Sequence, residues 1–185
     1  LIEIEVKLAV SSRQEAEHRL RAAGAREQSE RLFEDNRLYD DPADSLQQAG
    51  RVLRLRRFGE RSVVTFKAEP TPSDAGERYK IREEHETTVD NLEAVDAILT
   101  RLGFQVRWRY QKWRQQWALA AVAVELDETP IGVFLELEGE PDAIDLAAKL
   151  LGFSSDDYLT SSYRELAVQR RGSDRPGDLV FESNS

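Results

Sequence analysis

The first residues with chemical potential are Glu3-x-Glu5-x-Lys7. Odd positions carry charge, while Ile2, Ile4, Val6 and Leu8 between them carry bulk. A two-residue period places side chains on alternate faces of a β-strand, so both carboxylates and the ammonium point the same way. Two carboxylates so placed repel unless a cation lies between them, either a divalent metal or a neighbouring Arg or Lys. Alone, the stretch also reads as a half-exposed strand with solvated charges. Later strands shift the balance, because the same polarity returns in Arg54 and Arg56, in Thr65 and Lys67, and in Lys80, Arg82, Glu84 and Glu86. It recurs again in Lys112 and Arg114, in Glu125 and Asp127, and in Glu136 and Glu138.

The 185 residues are enough for one domain with a real core. A net charge of −9 argues against a general nucleic-acid or anionic-membrane binder. The basic residues cluster on strand-like stretches, which suits a small polyanion better than a long one. With no cysteine, disulfides, zinc–thiolate sites and thiol catalysis are excluded. Two histidines are too few for a His-rich metal site, so a metal would take oxygen ligands, as Mg²⁺, Mn²⁺ or Ca²⁺ does. No leader-like segment or bilayer-length apolar run is visible, so a cytoplasmic protein, monomeric or homodimeric, with no membrane partner is expected.

The elements that must position these charges follow from periodicity and punctuation. Ser11-Ser12 caps a helix over 13–23 that Gly24 ends. Residues 26–39 read as a weaker, polar strand, Asp40-Asp41-Pro42 as a turn, and 43–50 as a loop or short helical turn. Strands are expected at 51–58, 62–68 and 78–88, with a loop over 69–76. An amphipathic helix at 91–102 precedes a basic strand at 105–114, a turn at Gln115-Gln116, and strands at 117–127 and 133–138. A helix at 142–151, a short element at 161–166 and a flexible tail from Arg170 complete the chain. The fold class is α+β: eight strands joined by hairpins, as an antiparallel sheet or closed barrel. Three amphipathic helices need an apolar surface to pack on. If they cover the outside of a barrel, the charged faces turn inward. Burying so many unpaired charges is prohibitive, whereas a water-filled tunnel holding metal and polyanion is not.

With those residues in order, the sequence resembles the CYTH superfamily, or triphosphate tunnel metalloenzymes. The amino-terminal E-x-E-x-K (Glu3, Glu5, Lys7) carries the resemblance most specifically. Arg54 and Arg56, Thr65 and Lys67, Arg82 with Glu84 and Glu86, Tyr110-x-Lys112-x-Arg114, the late acidic strands and Ser162-Tyr163 follow in the family's order. The resemblance spans 1–168, leaving 169–185 as the tail, with no sign of the extended helical domain that some members carry. It implies an eight-stranded antiparallel tunnel binding a triphosphate with Mg²⁺ or Mn²⁺. Lys7, Arg54, Arg56, Lys67, Arg82, Lys112 and Arg114 would then contact phosphate. Glu3, Glu5, Asp127, Glu136 and Glu138 would hold metal, directly or through water, and Glu5, Lys7 and Glu136 would be the catalytic groups. Arg107 and Arg109 have the opposite parity to Lys112 and face outward unless a bulge intervenes. His85 reads as a surface residue, and Trp108, Trp113 and Trp117 as packing residues.

The implied activity is metal-dependent hydrolysis of a small-molecule triphosphate, inorganic or organic such as thiamine triphosphate. Two alternatives stay open. A class IV adenylyl cyclase would grip ATP in the same way, and a non-catalytic polyphosphate or nucleotide sensor would bind without turnover.

Overall fold

The structure, a computed structural model, describes residues 1–69, 78–172 and 177–182. The expected 69–76 loop, beyond Glu69, lies outside these. The elements run β1 (Ile2–Val10), α1 (Arg13–Ala22), β2 (Arg26–Glu27), β3 (Leu32–Asp40), α2 (Ser45–Gln48), β4 (Val52–Phe58) and β5 (Arg61–Ala68). They continue with β6 (Lys80–Val89), α3 (Leu92–Arg101), β7 (Gln105–Leu119), β8 (Val122–Thr129), β9 (Gly132–Glu138), α4 (Pro141–Leu150), a 3₁₀ turn at Ser155–Asp157, and α5 (Tyr163–Arg171). The strands follow the order β2-β7-β3-β4-β5-β6-β1-β9-β8, and β8 returns to pair with β7. Eight strands therefore form a closed antiparallel barrel, with β2 as an extra strand on β7.

Alternation along each strand separates two environments. Outward residues of β1, β8 and β9, among them Val6, Leu8, Val124, Leu135 and Leu137, pack with Ala16 and Leu20 of α1 and Ile144 and Ala147 of α4. Each buried Val, Leu or Ile among them contributes roughly 1.5–3 kcal/mol relative to exposure. Leu92 and Leu99 of α3 cover Leu55 and Tyr39 on β4 and β3. The inward face is left to the charges.

Three sequence expectations need correction. The single strand expected at 26–39 is β2 and β3. The mixed polarity that made the stretch weak reflects two roles, a short edge pairing with the end of β7 (Arg26 opposite Ala118) and a barrel strand. There is no turn at Gln115-Gln116, because β7 runs unbroken to Leu119. Gln115 faces outward and accepts from Arg13 Nη2 at 3.0 Å, while Gln116 sits opposite Glu125. The chain reverses instead at Ala120-Ala121, with Ala120 at φ 52°, a left-handed conformation that Ala seldom adopts and composition does not announce. The short element at 161–166 is a nine-residue helix, α5, with a Ser162/Glu165 capping box.

α5 lies over one end of the barrel. β6 stops pairing with β1 at Lys80 opposite Glu5, so the next edge groups of β1 are free. Leu159 takes them, exchanging two backbone hydrogen bonds of 2.9 Å with Lys7. This lead-in delivers Tyr163 against Phe134 and Tyr110, at ring separations of 5.6 and 6.0 Å. Residues 177–182, within the expected flexible tail, are held along β7, and Leu179 there is fully buried. Among the described residues no helix is long and apolar enough to cross a membrane.

Candidate active site

The barrel encloses a cavity of about 890 Å³. Strand register explains which charges meet in it. On β1, Glu3 lies opposite Arg82, Glu5 opposite both Lys80 and Glu138, and Lys7 opposite Glu136. Glu125 opposes Glu136, Arg114 opposes Asp127, and Glu34 opposes Lys112. Every residue expected to bind substrate or metal lines the cavity except Asp127, which lies behind it.

The deepest group centres on Asp127, whose exposure is 0%. Its carboxylate accepts from Lys112 Nζ at 2.8 Å, from Arg114 Nε at 2.7 Å and Nη2 at 2.5 Å, and from the Tyr163 hydroxyl at 2.7 Å. Burial, then Asp127 and Glu136, hold the Tyr163 phenol well above its ordinary range, so it stays a donor. Arg114 also contacts Glu125 and Glu136. Lys7 Nζ sits 2.9 Å from Glu5 and 3.2 Å from Glu136.

A second group spans β4, β5 and β6. Arg56 pairs with Glu86 at 3.0 Å and Glu34 at 3.5 Å. Arg54 donates to the Tyr110 hydroxyl at 3.2 Å and to Thr65 Oγ1 at 3.3 Å. Lys67 lies 2.5 Å from Glu3 and 3.3 Å from Glu84, and Lys80 lies 2.6 Å from Glu5. Arg82 reaches Glu69 at 3.3 Å.

Burial and neighbours pull the carboxyls apart in acidity. Burial pushes Glu5 up, but Lys7 and Lys80 more than offset it and hold it well below the usual range. At Glu34 burial is likewise outweighed, by Lys112, Arg114 and Arg56, leaving a pKa of about 2. Glu138 goes the other way: burial and the facing Glu3 raise it to about 7. Burial, with Glu136 beside it, raises Glu125 to about 8 despite Arg114.

Glu34 supplies a stability test. Its folded pKa is depressed below the ordinary glutamate value of 4.5, so its contribution is present above about pH 4.5 and fades as pH falls toward about 2. Glu34→Gln is expected to cost on the order of 3 kcal/mol at pH 7. In urea titrations the gap from the parent should close between about pH 5 and 2. A gap that is constant with pH would contradict the ion pairing.

Sequence reading does not mark Glu34 or Asn36. Both sit on β3, where charge appears on both faces and parity carries little information. Asn36 is completely buried between Tyr110 and Arg56 in register, and among the described residues neither its amide nitrogen nor its oxygen has a partner. Arg109 pairs outside the barrel with Asp35 at 2.5 Å, while Arg107 forks onto Asp44 at the cavity rim at 2.8 and 3.1 Å. The register slip opposite Leu38/Tyr39 falls at Arg107, between Trp108 and Val106, while Arg109 stays in regular register opposite Arg37. His85 is exposed beside Glu83. Trp113 meets Phe33 outside the barrel, Trp117 joins the helix-covered core, and Trp108 stacks on Tyr110 at 5.1 Å on the cavity wall.

The family model described as CYTH domain matches residues 1–163. The chain belongs to the CYTH domain family. A Methanocaldococcus jannaschii protein provisionally named adenylate cyclase is 25% identical over 90% of this CYTH chain and 98% of its own. The structure of PH1012 from Pyrococcus horikoshii superposes with a TM-score of 0.70 at 25% identity, covering 89% of this chain and 98% of that one. A Hippeastrum protein, provisionally an adenylyl cyclase and described as having a dominant triphosphatase activity, shares the fold at a TM-score of 0.62. It is 21% identical over 92% of this chain and 96% of its own.

Proposed function

We propose that this CYTH protein is a metal-dependent hydrolase of a small-molecule triphosphate. The observation behind this reading is the cavity itself, where cations from β1, β4, β5, β6 and β7 converge on one enclosed space with carboxylates along one flank. Arg54, Arg56, Lys67, Arg82, Lys112, Arg114 and Lys7 bind the phosphate oxygens. Arginine forks suit two oxygens at once, and lysines act as mobile point charges.

Among the described residues, no three carboxylate or histidine groups form a ready-made metal cluster. The donor chemistry on the β1–β9 flank nonetheless fits a hard divalent ion. Glu3, Glu5, Glu136 and Glu138 offer only oxygen, and burial together with the neighbouring carboxylates raises Glu3 and Glu138. Asp127 fits less well, since its oxygens are engaged by Lys112, Arg114 and Tyr163. We assign it to holding those cations in place. Mg²⁺ or Mn²⁺ bound on that flank would supply neutralisation of phosphate charge.

In the hydrolytic step, water attacks the terminal phosphorus and the remaining diphosphate leaves. The basic residues stabilise charge that spreads over the phosphate oxygens. Burial pushes the Glu136 pKa up, but Lys112, Lys7 and Arg114 more than offset it and hold it well below the usual carboxylate range. A carboxylate so held is a weak base. Glu136 therefore orients the water by accepting its hydrogen bond, which suffices for a loose transition state. Lys7, bridging Glu5 and Glu136, fixes both.

The deciding assay offers tripolyphosphate, thiamine triphosphate and ATP separately, with Mg²⁺ or Mn²⁺. Orthophosphate release supports the hydrolase, and the rate ranking names the substrate. Cyclic AMP with pyrophosphate would instead make it a cyclase, a reading that the name of the M. jannaschii relative favours. Binding without any product would make it a sensor.

Asn36 gives a separate check. A buried polar group left unpaired costs about 1–3 kcal/mol, and the loss disappears when ligand or water satisfies it. Asn36→Leu is expected to raise the melting temperature and, since Asn36 is fully buried and does not line the cavity, to leave the shift produced by tripolyphosphate unchanged. A reduced ligand shift would place Asn36 within reach of the ligand.

A further inference from the structure

β8 pairs with β7 only from Trp113 onward, so on that side the first half of β7 presents an open edge. Residues 177–182 cover it. Leu179 N–H donates to Arg109 O at 2.9 Å, and Gln111 N–H donates to Leu179 O at 2.8 Å. The Arg109 N–H donates to Asp178 Oδ1 at 2.9 Å, and the Trp108 indole N–H to Gly177 O at 3.2 Å. Arg171 Nη1 ties the segment back to α5 through Gly177 O and Asp178 O, at 3.1 and 3.3 Å. The Leu179 side chain has 0% exposure, packed in the cluster that contains Trp108, Tyr110 and Tyr163.

This segment lies beyond residues 1–163, the part matched by the family model. It touches the two aromatic residues that form one wall of the cavity. Tyr110 in turn accepts the Arg54 hydrogen bond at 3.2 Å. An extended strap has little use for a fully buried leucine unless it fills space that the barrel leaves open.

We propose that residues 177–182 are a positioning element of the site: by fixing Trp108 and Tyr110 they hold Arg54 in its phosphate-binding orientation. The inference rests on the triphosphate reading given above. Arg54 is the group that touches substrate, and Leu179 acts through Tyr110.

The test uses full-length protein, tripolyphosphate and Mg²⁺. Leu179→Asp puts a carboxylate where an apolar side chain is buried and displaces the strap. KM is expected to rise about tenfold, the equivalent of one weakened hydrogen bond to a charged group, with kcat within about twofold. Leu179→Ala keeps the backbone bonds and should move KM in the same direction, by about threefold, covering the case in which the aspartate variant fails to fold. Tyr110→Phe removes the acceptor for Arg54, so the Leu179→Ala/Tyr110→Phe double variant should have a KM no higher than the worse single variant. A KM unchanged in both Leu179 variants, a loss confined to kcat, or additive KM effects would overturn the inference. If the parent protein shows neither turnover of tripolyphosphate nor a thermal shift with it, the triphosphate reading fails and the inference falls with it. A parent that responds while the Leu179 variants match it sinks the inference alone.

Discussion

Asp127→Ala is expected to destabilise the barrel by about 3–5 kcal/mol, a large share of the roughly 5–15 kcal/mol that holds a domain folded. The carboxylate is fully buried and meets Lys112, Arg114 and Tyr163 at 2.5 to 2.8 Å. Its removal leaves two buried cations facing each other with only Glu34, Glu125 and Glu136 near them. Breaking one member of such a group is costly, because Lys112 keeps only the longer contacts to Glu34 and Glu136, at 3.7 and 3.9 Å, and the buried Tyr163 hydroxyl loses its acceptor. Urea denaturation at neutral pH measures the loss directly. Tripolyphosphate should restore part of it, since its oxygens can replace the missing carboxylate, so the ligand-induced rise in melting temperature should be larger in the variant than in the parent. A loss below about 1 kcal/mol would mean that the site relaxes freely and that Asp127 is not its organising charge.

The second large effect is on turnover. Glu5→Gln keeps the shape and an acceptor oxygen on β1 but removes one negative charge from the flank of Glu3, Glu136 and Glu138. We expect kcat with Mg²⁺ to fall by about 100-fold or more, a size typical of losing one well-placed electrostatic group. The fold should survive, since Lys7 keeps Glu136 at 3.2 Å and the outward face of β1 is untouched. Arg56→Ala should behave differently, raising KM chiefly, because in the proposed function it binds phosphate without belonging to the acidic flank. Measuring kcat and KM for both, with circular dichroism to confirm folding, separates the two roles. Full activity in both variants would defeat the tunnel reading.

These contrasts show where the sequence is informative. Parity along a strand is a local property, so Glu3, Glu5 and Lys7, Arg54 and Arg56, or Glu136 and Glu138 can be assigned to one face from their spacing alone. The helical stripes of α1, α3 and α4 are local too, and their need for cover turns the charged faces inward. The same logic fails on β3. There Asp35 and Arg37 point outward while Glu34 and Asn36 point inward, so polarity does not distinguish the faces. It also fails at Ala120, whose turn depends on the pairing of β7 with β8 and not on the residue itself.

Face is therefore a matter of sequence, and neighbourhood a matter of closure. Residues such as Lys112 and Glu34, or Lys67 and Glu3, are far apart along the chain and meet only because the barrel sets the register of each strand against the next. The acidities of Glu34 and Glu138 diverge for that reason: one carboxylate finds itself among cations, the other among carboxylates. Tyr163 and Leu179 lie still further from the rule. Neither belongs to a barrel strand, and what places Tyr163 at the cavity and Leu179 behind its wall is the edge of β1 that β6 leaves unpaired and the edge of β7 that β8 leaves unpaired. Backbone groups left without a partner must find one on burial, and no local pattern in the sequence announces which segment will supply it.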